Sequence, residues 1–97
     1  MNIKERVVLK FDEVNQYLAE LEEILPETEE EYKINLTKRR ACEKTVELAI
    51  EVIIDVMAMM VSHLKLGVPQ NEEDIITILE KKKVLSPKLA AKIREMK

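Results

Sequence analysis

The stretch from Thr45 to Val61, TVELAIEVIIDVMAMMV, constrains the fold more than any other part of the chain. Its charged residues fall only at Glu47, Glu51 and Asp55, and four-residue steps place these carboxylates on one narrow stripe of a helix. Nearly every other position around that helix is apolar, so it must be covered on most sides. In a chain of 97 residues, this predicts either the central helix of a bundle or a helix shared with a second subunit.

The composition is that of a globular domain, with 46% hydrophobic and 36% charged residues. A length of 97 residues fits one domain, 1–97. A domain of this size buries a modest share of its surface, and the lone Cys42 cannot form a disulfide within one chain. We therefore expect a homodimer, in which a second copy adds to a thin core.

The same features bear on the compartment. The lack of a disulfide pair is typical of a reducing environment, and the N-terminus shows no secretory signal. The longest uninterrupted apolar run, 56–61, has six residues, whereas a membrane-spanning helix needs about 20. The sequence therefore predicts a cytoplasmic protein that does not span a membrane.

Turn-forming residues are scarce and mark the joints between helices, because the chain has only one Gly and three Pro. A first helix is expected over 4–25, where apolar residues three and four apart form one seam: Val7, Phe11, Val14, Leu18, Leu21 and Leu25. After Pro26, Thr28 and Glu31 have the spacing of a capping box. A long second helix is therefore predicted over 28–66, with a bend near 36–40.

Two shorter helices are expected after Gly67 and Pro69. Asn71 is placed to cap the third, and Ser86 with Pro87 forms a capping and first-position pair for the fourth. No segment alternates with period two over the length of a strand. The predicted fold class is all-α, an up-and-down four-helix bundle with one long second helix.

The sequence lacks a Gly-rich phosphate loop, an HExxH pair and an EF-hand loop. His63 is either a general base or metal ligand, or a partly exposed residue near a helix end, and we favour the second interpretation. Cys42 is interpreted as a small packing residue despite the basic residues near it. We expect no cofactor and no metal site.

The carboxylate stripe of Glu47, Glu51 and Asp55 has two interpretations. Its members line a pocket, bind a metal across a symmetry axis or pair with basic groups of a partner helix, or they form a solvated face without a role. Metal binding is the least favoured, because diiron-type bundles carry a Glu-x-x-His spacing that this chain lacks.

The run from Arg39 to Asp55, RRACEKTVELAIEVIID, resembles the second helix of HepT-like proteins of the HEPN superfamily, with an Arg-rich start, an Ala-Ile-Glu step and an Asp one turn later. Residues 67–69, GVP, resemble the family turn that follows this helix. Residues 84–90, VLSPKLA, resemble the start of a later family helix. The resemblance extends over effectively the whole chain.

The resemblance implies a HEPN-like bundle that dimerises and acts as the toxin of a type VII toxin–antitoxin system. In its complete form such a toxin is a metal-independent endoribonuclease acting on RNA, and its expected antitoxin is an MntA-like nucleotidyltransferase. Family catalysis rests on an Arg followed a few residues later by a His. That spacing is absent here, because His63 is the only His and Arg40 is the nearest upstream Arg.

The family segment with this motif would begin where the sequence reaches 94–97, so we expect a domain truncated at its C-terminal end and inactive as written. Arg40, Glu47, Glu51 and Asp55 are then candidate residues of a cleft or interface, in a supporting role. A noncatalytic helical dimerisation or adaptor module is the alternative function.

Overall fold

The computed structural model describes residues 1–96, which form five helices and no strand. These are α1 (Ile3–Ile24), α2 (Glu29–Ile34), α3 (Leu36–His63), α4 (Glu72–Lys81) and α5 (Pro87–Met96). The all-α prediction is confirmed. None of the helices in this range combines the length and the apolar character needed to cross a membrane.

The predicted long second helix is divided at Asn35, which gives five helices instead of four. Asn35 has an extended backbone (φ −93°, ψ 94°), so it ends α2 and begins α3. Its side-chain Oδ1 accepts a hydrogen bond from the backbone N–H of Lys38 at 3.0 Å. Asn favours such caps over helix interiors because its side chain competes for backbone donors. The predicted bend lay close to this joint, although its cause was missed.

The predicted caps at Thr28, Asn71 and Ser86 are confirmed, although Glu31 Oε1 pairs with Lys38 Nζ at 3.0 Å and does not complete the capping box. Thr28 Oγ1 accepts from the N–H of Glu31 at 3.1 Å, and Asn71 Oδ1 accepts from Asp74 at 2.9 Å. Ser86 Oγ accepts from Leu89 at 3.1 Å. Each cap satisfies a backbone donor that the first turn of its helix would otherwise leave unpaired.

α3 is the central helix. Its 28 residues extend over roughly 42 Å at 1.5 Å per residue, close to the 46 Å longest dimension of the molecule. α1 packs antiparallel along it, and α4 and α5 cover its C-terminal half. The buried core lies at this covered end and consists of Ile54, Met57, Val61, Ile75, Ile76, Leu79, Ala90 and Ile93.

α1 contributes no buried residue, and its predicted apolar seam is divided. Val7, Val14 and Leu21 are half-buried on the side that packs on α3, together with Ile3, Lys10, Tyr17 and Ile24. The other seam residues, Phe11, Leu18 and Leu25, are 54%, 49% and 52% exposed. The helix is therefore rotated so that half of the seam remains accessible to a partner.

Arg94 of α5 forms hydrogen bonds to three residues of α4. Its Nε lies 2.6 Å from Glu73 Oε1, its Nη1 lies 3.0 Å from Glu80 Oε1, and its Nη2 donates to Thr77 Oγ1 at 3.3 Å. The three partners stand on one face of α4 at spacings of four and three residues, which matches the fixed fork of a guanidinium. Hydrogen bonds to Glu73 and Glu80 raise the pKa of Arg94 above its ordinary value.

Leu79→Ala tests the location of the core, because Leu79 of α4 is fully buried in the cluster that α4 forms with α3 and α5. We expect a loss of about 2–5 kcal/mol in the free energy of unfolding, from lost apolar burial and the cavity left behind. Val68→Ala is the control, since Val68 is 91% exposed and its truncation should change stability by less than about 0.5 kcal/mol. Urea denaturation followed by circular dichroism measures both, and equal effects would contradict this core.

Candidate functional site

A cleft of about 650 Å³ opens along the N-terminal half of α3, where α4 and α5 leave the helix uncovered. The end of α1, the short α2, the first residue of α4 and the last residue of α5 contribute to its walls. Its apolar lining consists of Leu21, Leu25, Tyr32, Cys42, Val46, Ile50, Ile54 and Met96. Its charged lining consists of four carboxylates, Glu43, Glu47, Glu51 and Glu72.

Two parallel rows of α3 side chains produce this division of the cleft. Cys42, Val46, Ile50 and Ile54 follow one another at four-residue steps and form the apolar floor. Glu43, Glu47 and Glu51 follow the same steps one position later and form an exposed acidic edge. Residues four apart lie above one another on a helix, so two such rows run side by side.

The cleft is electrostatically one-sided, because none of the described residues in its lining is basic. On the acidic edge, Glu47 forms a solvent-exposed pair with Lys44, in which Nζ lies 3.9 Å from Oε1. Such an exposed pair is screened by water and contributes little. The cleft is therefore suited to an apolar group that carries a positive charge at its margin.

The structure separates the four residues predicted to line a cleft or interface. Glu47 and Glu51 lie on the acidic edge. Asp55 lies one turn further along α3, where its Oδ2 is 3.5 Å from Lys10 Nζ of α1. Arg40 is exposed and does not belong to the lining. The functional roles of all four residues stay predictions.

Cys42 and His63 lie in different surroundings. Cys42 is 2% exposed and forms part of the cleft floor, as expected for a packing residue. His63 is the last residue of α3, is exposed, and lines a separate cavity with Arg6 and Ser62. Residues 1–96 contain no group of three or more His, Cys, Asp or Glu side chains placed to hold a metal ion.

Sequence reasoning missed the residues that other helices bring to the cleft. Tyr32 of α2 and Leu25 at the end of α1 are distant from Val46 in sequence, and the chain reversal at Pro26 places them together. A usable signal was present within α3 itself. An apolar row beside an acidic row at the same four-residue spacing predicts a groove with a charged edge.

Comparison with known proteins gives one family. The family described as ribonuclease HepT-like matches residues 14–97 of the chain. No curated protein matches.

Several solved structures share the fold. A chain in the rebuilt and re-refined structure of a tri-AMPylated Shewanella oneidensis HEPN toxin with MNT antitoxin is 18% identical, with a TM-score of 0.87 over 99% of this chain and 70% of that chain. A chain in a crystal structure of a toxin–antitoxin with AMP-PNP is 17% identical, with a TM-score of 0.83 over 93% of this chain and 67% of that chain. A crystal structure of a mutant MntA-HpeT toxin–antitoxin gives the same identity and TM-score. At such identities the likeness shows the fold alone.

Two substitutions test whether Asp55 pairs with α1 while Glu51 stands on the acidic edge of the cleft. Asp55→Asn should lower the free energy of unfolding by about 0.2–1 kcal/mol at low salt, because it removes the contact with Lys10. Glu51→Gln should leave stability unchanged or raise it slightly, because it relieves repulsion from the neighbouring carboxylates. Denaturation at low and high salt measures both, and an equal loss in the two variants would contradict the assignment.

Proposed function

The chain belongs to the ribonuclease HepT-like family, and we propose that it is the toxin component of a type VII toxin–antitoxin system. The observation that carries the proposal is the family match over residues 14–97. The fold agrees with it, because similar chains occur in toxin–antitoxin structures with MntA or MNT antitoxin. We propose an MntA-like nucleotidyltransferase as the antitoxin of this chain as well.

The proposed activity of the complete toxin is metal-independent cleavage of RNA. Attack by a ribose 2′-hydroxyl needs groups that remove and donate protons, and a cation that stabilises charge on the phosphate. The 97-residue sequence contains no Arg followed within a few residues by a His, since its Arg residues are at 6, 39, 40 and 94 and its one His is at 63. We therefore propose that these residues alone do not cleave RNA.

A homodimer is part of the proposal. Val8, Phe11, Leu18 and Leu25 lie on one face of α1 and its C-cap, and each is about half exposed. Spacings of three, seven and seven residues keep them on one side of the helix, and exposed apolar side chains grouped on one side of a helix are typical of a protein interface. We propose that this α1 strip packs against a second copy of the chain.

The cleft supports a second candidate function, a noncatalytic dimerisation or adaptor module. Its apolar floor and acidic edge are complementary to an amphipathic helix with basic residues beside its apolar face. Glu47 and Glu51 would then meet cations of the bound helix and govern its orientation. This function requires no catalytic group.

An RNA-cleavage assay separates the two functions. We expect the 97-residue chain to leave RNA intact in the presence of EDTA, and a chain that also carries the family's Arg and His motif to degrade it unless an MntA-like nucleotidyltransferase is present with its nucleotide. His63→Ala in the 97-residue chain is the control for adventitious activity. RNA cleavage by the 97-residue chain that His63→Ala abolishes would contradict the proposed location of the chemistry. A complete product that neither degrades RNA nor binds the nucleotidyltransferase would contradict the toxin assignment and favour the adaptor module.

Leu18→Gln tests the dimer. We expect the unchanged chain to sediment as a dimer at micromolar concentration, and the variant to shift toward monomer, because a polar amide replaces a central residue of the α1 strip. Val68→Gln makes the same chemical change in the loop before α4 and should leave the dimer unchanged. Sedimentation of the unchanged chain as a monomer would overturn the proposed homodimer.

A further inference from the structure

A second cavity, of about 390 Å³, lies at the end of the α1–α3 pair that is remote from the cleft. Ile3 and Arg6 of α1 line it on one side, and α3 lines it on the other with Ala58, Met59, Ser62 and His63. Three of these six side chains carry N–H or O–H groups, and none of them is acidic. The lining is therefore rich in hydrogen-bond donors and lacks a carboxylate.

The antiparallel register of α1 and α3 explains this composition. Lys10 on α1 lies opposite Asp55 on α3, with 3.5 Å between Nζ and Oδ2. Arg6 lies one turn earlier on α1 and shares the cavity with Met59, one turn later on α3, and with Ser62 and His63, two turns later. Lys10 thus has a carboxylate partner on α3, whereas the α3 residues that line the cavity with Arg6 include a hydroxyl and an imidazole and no carboxylate.

The side chains of Arg6, Ser62 and His63 make no hydrogen bond or ion pair with any other residue within 1–96. The carboxylate next to Arg6 in sequence, Glu5, is turned to the helix cap, where Asn2 Nδ2 donates to its Oε1 at 3.4 Å. Asp55 is occupied by Lys10. The donors of the cavity are therefore available to a ligand from solution.

We propose that Arg6, Ser62 and His63 form a binding site for a single phosphate group. A guanidinium presents parallel N–H donors that match two oxygens of a phosphate, which makes Arg6 the principal contact. The Ser62 hydroxyl and a ring N–H of His63 supply donors for the remaining oxygens. Ile3, the first residue of α1, and Ser62 and His63, in the last turn of α3, all line the cavity, so opposite ends of two helix dipoles adjoin the site and the charge of Arg6 provides the main attraction for a phosphate. The assignment rests on this cavity and is independent of the proposed toxin function.

The single histidine makes the site directly observable. Because the chain has one His, its ring proton resonances belong to His63 without ambiguity. We would titrate the protein with inorganic phosphate and, separately, with dimethyl phosphate, at fixed pH and at an ionic strength held constant with sodium chloride. A saturable change in the His63 signals is expected. Saturation with phosphate alone assigns a free or terminal phosphate, and saturation with both probes assigns a phosphodiester such as a nucleic-acid backbone.

Substitutions identify the ligand contacts. Arg6→Gln should weaken binding by about tenfold or more, as expected for loss of a charged hydrogen-bond donor, and Arg6→Lys should weaken it less. Lys92→Gln removes the same charge from an exposed position on α5 and should leave binding unchanged. Ser62→Ala provides a second test that removes only a hydroxyl, and it should weaken binding by a smaller factor than Arg6→Gln.

Two results would overturn the phosphate site. One is the absence of saturation with either probe in the unchanged protein. The other is equal binding by the unchanged protein and the folded Arg6→Gln and Ser62→Ala variants, with folding verified by thermal unfolding. Loss of RNA cleavage or of antitoxin binding in the complete toxin would not bear on the site, because the titration is made on the 97-residue chain alone.

Discussion

The structure depends on the need to cover α3. This helix is apolar around most of its circumference, and burial of apolar surface is the main source of stability in a domain of this size. Ten-residue helices α4 and α5 cover its C-terminal half, and Arg94 holds them together through Glu73, Thr77 and Glu80. The buried core forms there. The other half has only α1 and the one-and-a-half turns of α2, so part of its apolar surface remains open as the cleft.

Two apolar surfaces remain exposed because the helices of the domain cover one another only in part. The row from Cys42 to Ile54 borders the cleft because no helix within residues 1–96 lies fully over it. α1 packs on α3 with half of its apolar seam and leaves Phe11 and Leu18 about half exposed. Grouped exposed apolar side chains of this kind are typical of protein interfaces.

The two ends of the α1–α3 pair differ in charge, because the residues at the margins of the contact change along its length. At the end near α2, the α3 edge carries Glu43, Glu47 and Glu51 without a basic residue in the cleft lining. In the middle, Lys10 and Asp55 neutralise each other. At the far end, Arg6 and His63 line one cavity, and its lining contains no carboxylate. One helix pair thus offers an acidic, apolar cleft and a donor-rich cavity, which suit ligands of opposite charge.

The sequence by itself determined the helical class, the caps at Thr28, Asn71 and Ser86, and the need to cover α3 on most sides. These features follow from local rules, because a cap or an apolar period acts over a few neighbouring residues. The joint at Asn35 was also encoded locally, although Gly and Pro were taken as the main breakers. The tertiary structure decided which half of the α1 seam is covered, that Asp55 pairs with Lys10 while Glu47 and Glu51 border a cleft, and that Arg6 and His63 line one cavity. Those outcomes depend on the rotation and register of two antiparallel helices, which arise from packing between residues far apart in the chain and leave no periodic signal in either helix alone.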